Sequence, residues 1–269
     1  MSGLAIFGIT GRMGQALVRA LGETGSAGLR LTGAIASAGS RRLGQDAAAE
    51  GAPTGVTVTS DVAVALEGAA VAVDFSLAGC VASNALACAQ AGVPLLVCAT
   101  GFDEGTRAQL AQAAAVIPIL IAPNTSVGVA VVADLVARAT RALGTDYDVE
   151  VSEAHHRMKR DAPSGTALAL GEAVAGARGR SLAEVAVFDR HGRLEPRGTG
   201  EIGFAVVRAG DIVGEHTVSF AVAGERVEIT HRATDRAVFA RGALRAAEWL
   251  AGRPPGLYRM ADVLGPDLA

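Results

Sequence analysis

The 269 residues carry 24 lysines and arginines against 27 acids, a net charge of −3, so no generic nucleic-acid surface is expected. Half of the residues are hydrophobic, only 4% are aromatic and 34 are glycine, the composition of a compact α/β chain long enough for two domains rather than of a disordered one. Cys80, Cys88 and Cys98 are odd in number and form no CxxC, which excludes a disulfide framework and a zinc site and fits a reduced, cytoplasmic setting.

In chain order, Leu4 to Phe7 reads as a short apolar strand, Gly8 to Gly14 as the turn GITGRMG, and Gln15 to Leu21 as an amphipathic helix. Strand, glycine turn and helix in that order put backbone N–H groups and a positive dipole where a pyrophosphate can sit. A second strand, Leu29 to Ile35, ends where an acid would hold the ribose 2′-hydroxyl of NAD, but Ala36 and Ser37 stand there, followed by Arg41 and Arg42. With no carboxylate to repel a 2′-phosphate, Ser37 and Arg41 lead us to expect NADPH as the preferred cofactor, with NADH possible.

Val56–Thr59, Val71–Phe75, Leu95–Cys98 and Ile117–Ile121 read as further strands separated by helices, the pattern of a doubly wound parallel sheet. Loops at the carboxyl ends of such strands line a ligand crevice, which nominates Asp74–Ser76, Cys98 with Ala99, Thr100, Gly101 and Phe102, and Ala122, Pro123, Asn124, Thr125 and Ser126. Phe75–Phe102 and Ala108–Ala133 lack charges, yet Pro, Asn, Ser and Gly interrupt both, so buried strands and helix faces are expected rather than membrane spans.

After a helix at Val127–Leu143, Tyr147–Glu153 is expected to be a strand with Val149 and Val151 on one side and acids on the other. Val185–Phe188, Phe204–Arg208, His216–Val222 and Arg226–Arg232 follow as strands without crossover helices, Gly198–Gly203 as a turn-rich loop, and Arg236–Leu250 as a helix before a polar tail. The fold class is α/β, with a dinucleotide-binding domain at 1–126 plus 236–269 and a second, mixed-sheet domain at 127–235, to which the family resemblance given below assigns substrate binding and self-association.

The chemistry concentrates in Glu153–Thr166, EAHHRMKRDAPSGT. Lysine occurs once in the whole chain, at 159, three residues beyond a His-His pair; a desolvated ammonium can be tuned to give up a proton near neutral pH, whereas a guanidinium cannot. Ser164 is placed to cap a helix at Thr166–Ala177 and is also expected among the substrate-binding residues, and the N–H groups of Gly165 and Thr166 are expected to lack acceptors inside that helix. With Lys159 and a histidine, they form a receptor for a carboxylate, and His155 or Lys159 is placed to donate the proton that hydride delivery calls for. Asp161 reads as a turn former, and His191, His216 and His231 as structural residues. No third ligand stands at metal-binding spacing.

These motifs, with ATGF at Ala99–Phe102, APNTSVGV at Ala122–Val129 and RAGDIVGEHT at Arg208–Thr217, resemble the 4-hydroxy-tetrahydrodipicolinate reductase family over nearly the whole chain. The resemblance implies an N-terminal Rossmann domain, a mixed-sheet substrate domain, a homotetramer, and NAD(P)H-dependent reduction of a cyclic unsaturated imine dicarboxylate in lysine biosynthesis. It also implies His155 as general acid, Lys159 as proton donor or charge stabiliser, and His156, Gly165 and Thr166 as carboxylate ligands. Gly8, Ile9, Thr10, Gly11, Arg12, Met13, Ala99, Thr100, Ala122, Asn124 and Thr125 then become cofactor contacts. Two rivals are another imine reductase or amino-acid dehydrogenase of this architecture, and an NADP-sensing regulator without turnover.

Overall fold

The structure, a computed structural model, describes residues 1–23 and 28–265. Its described residues divide into two compact units, Met1–Val127 with Ala237–Gly265, and Gly128–Arg236. The chain begins with β1 (Ser2–Phe7), α1 (Arg12–Glu23), β2 (Leu29–Ile35), β3 (Val58–Thr59), α2 (Val62–Leu66), β4 (Val71–Asp74), α3 (Val81–Ala91), β5 (Leu95–Val97), α4 (Glu104–Ala113) and β6 (Pro118–Ile121). There follow α5 (Val127–Leu143), β7 (Asp148–His155), α6 (Gly165–Ala177), α7 (Leu182–Val185), β8 (Ala186–Val187), β9 (Ile202–Arg208), β10 (Gly214–Val222) and β11 (Glu225–Ala233). It closes with α8 (Ala237–Leu250), β12 (Gly256–Tyr258) and α9 (Met260–Leu264).

In the first unit the strands run in the order β12-β6-β5-β4-β1-β2-β3. Every pair is parallel. The central strands β1, β4, β5 and β6 are largely apolar, as in sheets covered on both faces, and Phe7, Leu95 and Ile119 lie in one buried cluster with Leu110 of α4. Strand order reverses between β1 and β4, whose last residues Phe7 and Asp74 are register partners, so the crevice of a Rossmann-type sheet opens there. The helix expected at Gln15 starts earlier, at Arg12, directly on the glycine turn.

Helix α8 packs against α1, β4 and β5. It sits so close to the loop after β6 that a methyl on Gly242 would fall 1.9 Å from the Thr125 carbonyl oxygen, and the Thr125 hydroxyl donates to the Phe239 carbonyl at 2.7 Å. The tail expected to be merely polar adds β12 to the sheet edge beside β6 and then forms α9; its last four residues, 266–269, lie outside the described part.

The second unit is a five-stranded sheet in the order β11-β10-β7-β9-β8, with parallel pairs β7–β9 and β9–β8 and antiparallel pairs β7–β10 and β10–β11. Val149, Val151, Val218 and Phe220 cluster with Val132 and Val136 of α5 and Leu170 and Val174 of α6. Several boundaries differ from the sequence reading. Val185 ends a helical turn and leaves a two-residue β8; Ile202 and Gly203 belong to β9, where they pair with β8; and β7 runs two residues past Glu153, ending at His155. Among the described residues no helix is long and apolar enough to cross a membrane.

Candidate active site

In the first unit the nominated cofactor residues gather at the carboxyl ends of the strands. Gly8 has φ of 73°, and a methyl there would sit 2.7 Å from the Phe75 carbonyl oxygen, so the turn after β1 lies against the backbone after β4 as only glycine permits. The Gly8 and Ile9 N–H groups both donate to the Ile35 carbonyl, and the Ile9 side chain is fully buried; Thr10, Gly11 and Arg12 are exposed at the start of α1, with Met13 half-buried. The first N–H groups of any helix have no acceptor inside it. Together with the glycine backbone they form a donor set suited to a pyrophosphate.

Cys98 and Ala99 are buried, burial pushing the Cys98 thiol well up, while Thr100 is exposed. Asn124 closes a turn by accepting from the Ser126 N–H at 2.8 Å. Pro123 beside it is exposed and Ala122 buried. After β2, Ser37 and Arg41 are exposed, whereas Arg42 donates to the carbonyls of Asp46 and Ala48 at 2.5 and 2.9 Å. The loop is further tied by Asp46, whose carboxylate takes the N–H groups of Ala48, Thr54 and Gly55 and is thereby held down to about 2. Arg42 is therefore a loop brace, and Arg41 is left to face solvent.

In the second unit, strand alternation carries the core face of β7 from Val149 and Val151 into Glu153 and His155, all four buried. Glu153 thus joins the valines, as strand alternation places it, and not the acids of the opposite side, where the sequence reading had put it. Its register partners complete a polar end to the core: His216 on β10 stands opposite Glu153, and Arg208 on β9 opposite His155. The Glu153 carboxylate takes His155 Nδ1 at 2.6 Å and Arg208 Nη1 at 2.7 Å on one oxygen, and Arg208 Nη2 at 2.8 Å and the Ser164 N–H at 2.9 Å on the other. Burial would raise this carboxyl, but its hydrogen bonds from Arg208, His155 and Ser164 outweigh burial and hold it down to about 2. An ionised acceptor fixes Nδ1 of His155 as the protonated nitrogen and leaves Nε2 bare.

Burial lowers the His155 ring below the usual histidine range against the opposing pull of Glu153, and lowers His216, whose ring packs edge-on to His155 at 5.1 Å, to about 4. Gly214 leaves space beside the catalytic candidate: a methyl there would lie 3.1 Å from His155 Nε2.

Ser164 caps α6 as expected, its hydroxyl accepting from the Ala167 N–H at 3.1 Å, and the same oxygen meets His216 Nε2 at 2.9 Å. Buried and engaged on both sides, Ser164 serves the helix start, and it is the exposed Gly165 N–H that has no acceptor inside the helix. Thr166 follows in the same turn. The loop between strand and helix is short: the Lys159 N–H donates to the His156 carbonyl at 3.1 Å, and the Lys159 ammonium lies 2.8 Å from Asp161 Oδ2. His156 is half-buried. Asp161, expected only to form a turn, also lends its carbonyl to Arg208 Nη2 at 2.5 Å.

His155, His156, Lys159 and the start of α6 therefore share one site in the second unit. Sequence reasoning missed Glu153, Arg208 and His216 there. The signal for Glu153 was present in the strand, an acid two and four places from Val151 and Val149 on the same face. His216 and Arg208 are joined to it only by strand register. Among the described residues, no group of three or more His, Cys, Asp and Glu side chains is arranged to hold a metal.

Comparison with known proteins covers both units. A family profile described as dihydrodipicolinate reductase, N-terminus, matches residues 2–125, and one described as dihydrodipicolinate reductase, C-terminus, matches residues 128–264. The chain is 52% identical over 265 residues to a 4-hydroxy-tetrahydrodipicolinate reductase of Anaeromyxobacter dehalogenans, covering 98% of each chain. It is 53% identical over 262 residues to that of Thiobacillus denitrificans, covering 97% of this chain and 98% of the relative. Among solved structures, a dipicolinate-bound dihydrodipicolinate reductase from Paenisporosarcina superposes with a TM-score of 0.75 at 22% identity, over 96% of this chain and 97% of that one, a likeness of fold.

Proposed function

The chain belongs to the dihydrodipicolinate reductase family, and on that premise we propose that it reduces 4-hydroxy-tetrahydrodipicolinate to tetrahydrodipicolinate with a reduced nicotinamide cofactor, in lysine and diaminopimelate biosynthesis. It is an oxidoreductase. The observation that carries the reaction is the buried pairing of His155 Nδ1 with the Glu153 carboxylate, 2.6 Å apart, next to the start of α6.

A dicarboxylate is received by the exposed Gly165 N–H, Thr166 and His156, on the positive end of α6, with the Lys159 ammonium beside them. Loss of the 4-hydroxyl as water leaves a conjugated imine, and reduced nicotinamide, when bound, would supply a hydride to it. The electron-rich atom that results takes a proton, and His155 Nε2 is the position from which it comes. Burial lowers the His155 ring below the usual histidine range, and two arriving carboxylates favour its protonated form. Lys159 stabilises the negative charge that develops or shares the proton transfer.

The glycine turn and the start of α1 suit the pyrophosphate of either cofactor, and Ser37 with Arg41 suit the extra phosphate of NADPH, which we propose is preferred. Cys98, Ala99, Thr100, Ala122, Pro123, Asn124 and Thr125 shape the remainder of that crevice. In this reading residues 1–126 plus 236–269 serve the cofactor, and 127–235 serve the substrate and assembly into a cytoplasmic homotetramer. What supports assembly is the row Glu215, Thr217, Ser219 and Ala221, left half-buried on the side of β10 away from the core residues His216, Val218 and Phe220. A light-scattering mass of one subunit would contradict it.

The test of the reaction is direct. Purified protein should oxidise NADPH when 4-hydroxy-tetrahydrodipicolinate is generated in the cuvette, and NADH more slowly. Oxidation of neither cofactor would overturn the reading, and turnover of simple amino acids or unrelated imines instead would favour a different imine reductase.

A further inference from the structure

One carboxylate joins every part of the candidate site. Glu153 is 3% exposed, and its two oxygens accept four donors: the ring of His155, both terminal nitrogens of Arg208, and the backbone N–H of Ser164 at the cap of α6. Arg208 continues outward to the carbonyl of Asp161, whose side chain holds Lys159. The imidazole, the ammonium and the start of the carboxylate-receiving helix thus hang on a single ion pair spanning β7 and β9.

Stability does not demand this arrangement. A buried ion pair is often no more stabilising than well-packed apolar residues of the same volume, and the open end of a sheet core is where such residues ordinarily stand. An imidazole whose Nδ1 is anchored on a carboxylate, by contrast, has its tautomer and its ring plane fixed. Resting on the proposed proton transfer from His155, we propose that Glu153, clamped by Arg208, is the positioning residue of the reaction: it dictates the His155 tautomer that leaves Nε2 to carry the proton, and sets the distance between that nitrogen and the start of α6.

Loss of the charge has a defined consequence. In Glu153→Gln the amide keeps one oxygen, so Arg208, Ser164 and His155 compete for it, and an amide N–H turned toward His155 favours the opposite tautomer. The groups acting on the ring are Glu153 on its own strand, Arg208 on β9, His216 on β10 and Lys159 in the following loop. Of these only Glu153 pulls toward protonation, so its removal shifts the ring's titration to lower pH.

The experiment has two arms. In the wild-type protein, nitrogen-15 NMR of the ring, assigned by its absence in His155→Gln, is expected to show Nδ1 protonated and Nε2 bare in the cofactor complex. In Glu153→Gln, kcat should fall by about 10² or more, the reach of general acid catalysis. The NADPH dissociation constant should stay within about twofold, the pH limb of kcat should move to lower pH, and Glu153→Asp should recover part of kcat. Near-normal kcat with an unmoved limb in Glu153→Gln, or an Nε2-protonated His155 in the wild type, overturns the proposal. Should Glu153→Gln fail to fold, the wild-type tautomer decides alone. Wild-type protein with no turnover refutes the proposed reaction instead, and the tautomer still decides the positioning role.

Discussion

Two adjacent arginines after β2 are predicted to behave as opposites. Arg41 is exposed, whereas the Arg42 guanidinium is bonded to the Asp46 and Ala48 carbonyls. A charge-assisted hydrogen bond to a phosphate is worth about 1.5–3 kcal/mol, and an exposed partner places Arg41 at the low end of that range. About 1.4 kcal/mol is a factor of ten, so Arg41→Ala should lower kcat/KM for NADPH about tenfold and leave NADH within about twofold. Arg42→Ala should remove a loop brace, lowering the thermal midpoint while affecting both cofactors alike. Steady-state kinetics with each cofactor in turn separates the two. Equal loss with NADPH and NADH in Arg41→Ala, or no loss with either, refutes the 2′-phosphate reasoning.

Acid should act on the second unit in two stages. Burial sets His216 at about 4, below the ordinary 6.5, so between those values the unfolded chain takes a proton the native state refuses, and about 3 kcal/mol is lost as pH falls through that window. The Glu153 carboxyl, at about 2 against an ordinary 4.5, adds stability that is full above 4.5 and disappears toward pH 2. Urea unfolding across pH should show the first slope, and His216→Gln should flatten it; an unchanged slope contradicts the assignment. Gly8→Ala places a methyl against the Phe75 carbonyl at positive φ, a left-handed penalty of about 1–2 kcal/mol before any clash, and calorimetry should find NADPH binding weakened tenfold or more. Gly214→Ala, whose φ suits alanine, should crowd His155 Nε2 and lower kcat with NADPH affinity intact; a kcat within twofold of wild type would mean that this nitrogen is not where the proton moves.

The first unit was legible because its signals are local. An apolar strand, a glycine turn and a helix alternate, and parallel strands buried on both faces are continuous apolar runs, as Leu4–Phe7, Val71–Val73 and Leu95–Val97 are. The tail was not, because Gly256–Tyr258 is too short to announce a strand and becomes one only by pairing with β6. In the second unit the histidine pair, the lone lysine and the Ser164 cap could be read from one stretch of chain. Arg208 and His216 lie 55 and 63 residues beyond Glu153, and although both fall in the RAGDIVGEHT motif, their residue types alone do not say which groups they meet. Only the register of β9 and β10 against β7 brings them there. Arg41 and Arg42 look equivalent in sequence because the carbonyls that engage one of them belong to the fold of the following loop.

The claim on which the rest depends is that the loop and helix start of the second unit receive a dicarboxylate and protonate it. Lys159→Ala addresses it most directly, measured as kcat with 4-hydroxy-tetrahydrodipicolinate alongside the NADPH dissociation constant of the same preparation. The expected result is a kcat lowered by about 10² or more with cofactor affinity within about twofold. Turnover close to wild type would return Lys159 and its ion pair with Asp161 to a structural role.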